Sequence, residues 1–303
     1  MKLASVSIDL DEIHHYHAIH GLADAPSGAN LVYDVAVPRA KDWARSLGVP
    51  LTWFAVGRDL ERRENAEALK KLAAGGDEIG NHSQSHAYDL SCRGPTDIRR
   101  EIDEGARAIE RVSGERPKGF RAPGYTVSDE LFVALSELGV AYDSSVFPCP
   151  PYYAAKAAKL FSMRLRGRTS ESVLDTPSVL RAPSRPYRVG KPYWKSGDGV
   201  LELPIQVTPG ARLPFIGTAL VLAGADGARL LTRTVLGETF VNLELHGIDF
   251  LGVEDGLGAL GAHQPDAKLS LTRKLTALTA TVELLREKGA SFARLGEAAD
   301  AFG

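Results

Sequence analysis

The chain has 303 residues, 44% of them hydrophobic, a formal charge of -2 at neutral pH and two cysteines. That length allows a sizeable core in one or two domains, and a single α/β barrel of this size is common. The charge balance offers no bulk drive toward nucleic acid. Cys92 and Cys149 are too few for a secreted disulfide framework and read as reduced thiols.

The first residues, 1–8, form an apolar stretch too short for a signal peptide and meet Asp9 at once. No segment reaches the roughly 20 apolar residues of a spanning helix. The expectation is a cytoplasmic protein that touches the inner face of a membrane at most peripherally.

In chain order, residues 3–10 read as a strand ending at Asp9-Leu10-Asp11. Glu12, His14, His15, His17 and His20 follow and read as a polar loop, with a second metal site or a groove lining as the alternatives. Residues 34–47 have helical spacing and stop at Gly48; 51–56 is a buried-strand run; 65–74 is a helix closed by Gly75-Gly76. A short strand at 78–80 delivers Asn81-His82. A helix over 95–112, a strand at 119–121, a helix over 128–138 and a strand at 140–143 come next. Later, 201–207 and 239–246 read as strands, 225–236 and 265–288 as helices, and 291–294 as a last strand before a helical turn at 295–302. Repeated βα units predict a largely parallel sheet with helices outside it, closed or partly closed into a barrel. In such barrels chemistry gathers at the C-terminal strand ends, where Asp9, His82, Arg121, Asp143 and His246 all fall. The stretch from about 148 to 224, rich in Pro, Tyr and Arg at its start, breaks the rhythm and reads as a long excursion on the barrel top, inside one domain spanning 1–303.

His82 and His86 lie four apart, a spacing that lets two imidazoles share one metal ion, and Asp11 is the natural carboxylate to complete the set. Asp9 sits on the same strand face, two residues earlier. Two such carboxylates can divide their work, one binding metal and one taking a proton from water that the metal activates. Taken singly, each piece could be a solvated turn or a loop cap.

As an ordered set, these segments resemble carbohydrate esterase family 4, the NodB-homology or polysaccharide deacetylase family. Ser7-Ile8-Asp9-Leu10-Asp11 is similar to its first motif, in an Asp-x-Asp form rather than the commoner Asp-Asp-Gly. Gly80-Asn81-His82-Ser83-Gln84-Ser85-His86 matches the second motif closely. Phe120-Arg121-Ala122-Pro123-Gly124-Tyr125, Tyr142-Asp143-Ser144-Ser145 and Leu243-Glu244-Leu245-His246 resemble the third, fourth and fifth. The resemblance implies a distorted (β/α) barrel of the NodB-homology type with a long insertion on its top. It implies Asp9 as general base, and Asp11, His82 and His86 as ligands of one divalent metal, usually zinc, sometimes cobalt or another divalent ion. Arg121 would hold Asp9, main-chain N–H groups near Gly124 and Tyr125 would help at the oxyanion, and His246 would be the general acid. Asp143 would orient His246 or shape the pocket. Gly124 precedes the aromatic residue of the third motif, which displaces the expected oxyanion donor by one position. Glu244 shares a strand face with His246 and is expected to support it or the substrate.

The implied activity is hydrolysis of an N-acyl group, N-acetyl first, on an amino sugar linked to a lipid or a nucleotide. A hydrolase of a non-sugar amide such as a cyclic imide or ureide, and a non-catalytic carbohydrate-binding relative, are the alternatives. Residues 154–168 carry Lys156, Lys159, Arg164, Arg166 and Arg168 and no acid, and 213–222 is apolar. That pairing suits peripheral contact with a membrane or a lipid-linked substrate, or else ordinary loop packing.

Overall fold

The computed structural model describes residues 2–22, 30–174 and 176–303. Its strands are β1 (Lys2–Asp9), β2 (Leu51–Ala55), β3 (Glu78–Asn81), β4 (Gly119–Phe120), β5 (Tyr142–Asp143), β6 (Tyr187–Val189), β7 (Ser196–Glu202), β8 (Phe240–His246) and β9 (Ala290–Phe292). They join in the order β6-β7-β5-β4-β3-β2-β1-β8, parallel throughout except at the β6–β7 edge. β1 is the hub. It pairs with β8 over Leu3–Asp9, with β2 over Val6–Asp9 and with β9 over Lys2–Ala4. Every residue of β2 is buried, as a parallel strand covered on both faces requires.

The helices are α1 (Ile13–Ile19), α2 (Val37–Leu47), α3 (Arg63–Ala74), α4 (Pro95–Ser113), α5 (Asp129–Glu137), α6 (Pro150–Leu165), α7 (Gly217–Val235), α8 (Gly258–Gly261), α9 (Leu271–Glu287) and α10 (Leu295–Phe302). Their ends follow local chemistry. Ser128 and Ser270 accept N-terminal N–H groups of α5 and α9, Pro95 opens α4, and left-handed Gly48 and Gly114 close α2 and α4.

The sheet is a distorted half-barrel. Past β7 the chain bends toward β8 and bridges the two ends with single contacts. Gln206 N–H donates to Asn242 O at 3.2 Å, and Asn242 Nδ2 donates to Leu203 O at 2.9 Å and Pro204 O at 3.2 Å. Of the expected strand over 201–207, only Leu201 and Glu202 lie in β7, and the rest makes the closure. The long excursion is also less separate than expected: β6 and β7 lie inside 148–224 and belong to the sheet, while α6 and the first part of α7 cover its top. The helix expected over 265–288 splits into a 3-10 turn (Pro265–Lys268) and α9. The histidine-rich segment is helical, not a loop: Glu12 caps α1 by accepting Ile13 N–H at 2.9 Å, and His15, His17 and His20 are buried.

Candidate active site

The C-terminal ends of β1, β3, β4 and β8 converge on one pocket. Asp9 and Asp11 follow β1, and His82 and His86 follow β3 on a turn with two left-handed residues, Ser83 (φ 66°) and His86 (φ 55°). Such backbone is unfavourable by order 1 kcal/mol or more per residue and persists only when held. α4 holds it. Glu101 Oε2 and Oε1 accept Ser85 N–H and Oγ–H at 3.0 and 2.8 Å, Gln84 N–H donates to Glu101 O at 3.0 Å, and Asn81 Nδ2 donates to Ile102 O at 2.8 Å. Gly105 makes the approach feasible, because a Cβ there would lie 2.7 Å from the Ser83 carbonyl carbon.

Asp11 Oδ1 lies 3.2 Å from His82 Nε2 and 3.1 Å from His86 Nε2. His82 Nδ1 donates to Arg121 O at 2.7 Å; a carbonyl only accepts, so this contact fixes the ring with Nε2 turned to Asp11. All three side chains are buried, and Asp11 Oδ1 and His86 Nε2 lack hydrogen-bond partners among the described residues. Buried polar atoms left unmatched and facing each other in this way fit a cation among them. Burial pushes the His86 pKa down to about 3, with Asp11 opposing, so the ring is neutral, as a ligand must be. For Asp11, burial works upward but His86 and His82 outweigh it and hold the carboxyl well below the ordinary range.

Asp9 stands beside this triad, its Oδ2 3.9 Å from His82 Nε2. Arg121 Nη1 donates to Asp9 Oδ1 at 2.6 Å. The same fully buried guanidinium donates to Ser144 O at 2.8 Å and to Ser7 Oγ and Ser144 Oγ at 2.9 Å, with its plane over Phe54. Burial raises the Asp9 pKa despite Arg121 and His82, which makes it a stronger base.

His246 closes the far side. Its Nε2 is 3.9 Å from Asp11 Oδ2 and 3.3 Å from the Tyr125 hydroxyl, and its Nδ1 is 2.9 Å from Glu244 Oε1. Burial disfavours the charged ring, but Glu244, then Asp11 and Asp9, outweigh it and hold the pKa well above the ordinary histidine value. Glu244 thus takes the orienting position expected of Asp143. Asp143 instead accepts Ser145 N–H at 3.1 Å and Ser145 Oγ–H at 2.7 Å, deep behind Arg121 beside the buried Glu202. The oxyanion expectation also changes in detail. Gly124 and Tyr125 are both left-handed, and Tyr125 N–H is committed to Ala122 O at 3.1 Å, so Tyr125 meets the pocket through its hydroxyl. Asp249 Oδ2 accepts His246 N–H at 2.9 Å and fixes the strand end.

The pocket opens into a cavity of about 420 Å³ lined by Tyr16, Tyr88, Tyr125, Tyr152 and Leu222 beside Asp11 and His246. A second hollow of about 320 Å³ shares Ile19, Tyr152 and Lys156 with it and runs along α6. Tyr16 and Tyr152 escaped the sequence reading because α1 and α6, which carry them, were not read as helices. A larger hollow of about 580 Å³, between Lys70 and Asp300, touches none of the site residues.

Fold and site together define a buried carboxylate–histidine pocket at the mouth of a NodB-type half-barrel. Residues 30–142 match the polysaccharide deacetylase family model, a span that holds His82, His86 and Arg121 and ends before Asp143 and His246. A peptidoglycan-N-acetylglucosamine deacetylase of Bacillus cereus is 30% identical over 102 residues, 34% of this chain and 46% of that protein. The chain spans less than half the length of the curated relatives it matches. Among solved structures, a candidate polysaccharide deacetylase from Mycobacterium smegmatis shares the fold at TM-score 0.58 and 18% identity, over 99% of this chain and 90% of that one. A family 4 carbohydrate esterase from Streptomyces lividans, in complex with acetate, does so at TM-score 0.50 and 13% identity, over 96% and 92%. Residues 30–142 are thus similar to polysaccharide deacetylases, and the whole chain shares its fold with a family 4 carbohydrate esterase.

Proposed function

We propose that the protein is a metal-dependent hydrolase that removes an N-acyl group, N-acetyl first, from an amino sugar. The observation that carries this reading is the buried triad of Asp11, His82 and His86, with unmatched donor atoms at its centre, set between a carboxylate and a protonated histidine. A divalent ion held by the triad, zinc first, would polarise the acyl carbonyl and lower the pKa of attacking water.

The chain's own groups account for the proton traffic. Asp9, fixed by Arg121, takes the proton from water as its oxygen bonds to the acyl carbon. His246, kept charged by Glu244, gives its proton to the sugar nitrogen as the C–N bond breaks, so that acid and amine leave as separate products. The Tyr125 hydroxyl, 3.3 Å from His246 Nε2, orients that ring toward the cavity.

The substrate reading comes from the walls. The aromatic cavity of about 420 Å³ is roofed by α6, whose Lys156 and Lys159 line the adjoining hollow. Aromatic faces suit sugar and apolar groups, and lysines suit an anionic linkage. We therefore assign a sugar carried on a lipid or nucleotide, met in the cytoplasm or at the inner membrane face. Among the described residues no helix is long and apolar enough to cross a membrane, and exposed Phe161 and Leu165 beside the basic end of α6 support peripheral contact. The test is acetate release from free, nucleotide-linked and lipid-linked N-acetylamino sugars by the zinc-loaded protein. Release that His82→Ala abolishes is the expected result. No release from any of the three would overturn the reading.

A further inference from the structure

Outside the catalytic group, a second set of metal-type donors converges. His14 and His15 stand on the first turn of α1, and Asp59 stands on the 3-10 turn Arg58–Glu61 that follows β2. One ligand-type atom from each lies within 4.8 Å of the other two. His15 Nε2 and Asp59 Oδ2 are 3.8 Å apart, with side chains only 10% and 9% exposed. Neither atom has a hydrogen-bond partner among the described residues. Buried polar atoms are seldom left unmatched, so something is expected to join them.

The separation narrows the choice. At 3.8 Å the atoms are too far apart for a hydrogen bond. A water making two hydrogen bonds of about 2.8 Å would be pinched to nearly a right angle. Two metal–ligand bonds of about 2.0–2.2 Å span the gap at an angle of about 120–145°, and a closing shift of about 0.4 Å would bring it to the tetrahedral angle. The frame is rigid on both sides. Asn65 Nδ2 donates to Asp59 O at 2.9 Å, and Asn65 Oδ1 accepts from Asn30 Nδ2 at 2.7 Å. On α1, Glu12 accepts Ile13 N–H at 2.9 Å and Val32 N–H at 3.0 Å, which anchors the turn bearing both histidines. His14 is exposed and leaves an entry path from solvent. Arg58 opposes a cation here, but it is itself exposed, so solvent screens it.

We propose that His14, His15 and Asp59 bind a second divalent transition-metal ion, separate from the one assigned to Asp11, His82 and His86. Two imidazoles and one carboxylate suit zinc, cobalt, nickel or copper rather than magnesium or calcium. The His15 ring packs on the His86 ring with centroids 4.2 Å apart. The ion ties α1 to the loop after β2 and so sets His15 as a wall behind His86. It is a positioning site, and it does not rest on the deacetylase reading.

The full chain, stripped with a chelator and dialysed, is titrated with zinc against a chromophoric competitor, and bound metal is counted by elemental analysis. Wild type is expected to bind two equivalents. The double variant His82→Ala/His86→Ala is expected to keep one. His14→Ala and Asp59→Asn are expected to keep one tight equivalent and to weaken or lose the other by at least tenfold. Circular dichroism reports folding, and His14→Ala, on an exposed side chain, covers the case in which Asp59→Asn disturbs the turn. One equivalent or two, bound metal that neither His14→Ala nor Asp59→Asn weakens would overturn the proposal; a single equivalent lost in His14→Ala would instead keep this site and count against the Asp11–His82–His86 one.

Discussion

Glu244 is fully buried on β8, two residues before His246, and its carboxylate faces Nδ1 of that ring at 2.9 Å. A buried imidazolium would otherwise lose its proton; Glu244 is the largest opposing influence. For a general acid the sign is clear. The proposed reaction requires the protonated ring, so in it the alkaline limb of the pH–rate profile marks the loss of that proton. Glu244→Gln removes the charge and keeps the shape, so it lowers the His246 pKa. The alkaline limb should move to lower pH by about one unit or more, equivalent to about 1.4 kcal/mol per unit, and kcat should fall on the alkaline side while KM changes little. A profile of kcat against pH for both proteins checks this, and an unmoved alkaline limb would remove Glu244 from the proton path. In the sequence, alternation along the strand placed Glu244 beside His246. The resemblance offered Asp143 as the residue to orient His246, and only the three-dimensional packing shows it turned toward Ser145.

At the scale of elements, the end of β8 depends on a buried acid. Asp249 lies on the 3-10 turn Gly247–Phe250 and accepts His246 N–H at 2.9 Å. Burial raises its pKa to about 6, against the influence of Lys274 and His246. An unfolded chain releases that proton near pH 3.8 and the folded chain near 6. Between those values the folded state binds more protons, so stability falls as pH rises through the window and levels off above it. The size follows from the shift, about 3 kcal/mol in all. Asp249→Asn should flatten this slope, and urea unfolding at pH 4.5 and pH 7 measures it; a slope identical to wild type would mean that another group carries it. Regular elements of this kind were legible: β8, α4 and α5 stand within a residue or two of their sequence bounds because their apolar spacing, Pro95, Ser128 and the closing glycines are local signals. α1 and α6 were not. α1 has only two turns with three histidines among its seven residues, and α6 buries little beyond Tyr153 and Met163, so neither shows an apolar stripe.

For the whole molecule, the site is a device that joins distant strands. Asp11 follows β1, His82 and His86 follow β3, Arg121 follows β4, and His246 ends β8, at one mouth of a half-barrel closed only by contacts such as Gln206 to Asn242. The parallel alternation and the strand-end placement of these residues could be read from sequence, because each βα unit repeats one local pattern. Closure could not, since it rests on side-chain amide contacts between segments 39 residues apart, such as Asn242 Nδ2 to Leu203 O. The same geometry couples metal to stability. Without an ion, Asp11 Oδ1 and His86 Nε2 stay buried and unmatched among the described residues. The unfolded chain has no such preformed set, so an ion that prefers the folded chain stabilises it by mass action, about 4 kcal/mol at a thousand times its dissociation constant. For a chain of this length that corresponds to a rise of several degrees in Tm. Thermal unfolding of stripped protein with and without excess zinc should show this rise, and a chelator should reverse it. His82→Ala/His86→Ala should lose the part due to this triad, and what remains comes from the proposed His14–His15–Asp59 site. A wild-type Tm indifferent to zinc, nickel and cobalt would mean that the buried triad is held together by protons rather than by metal.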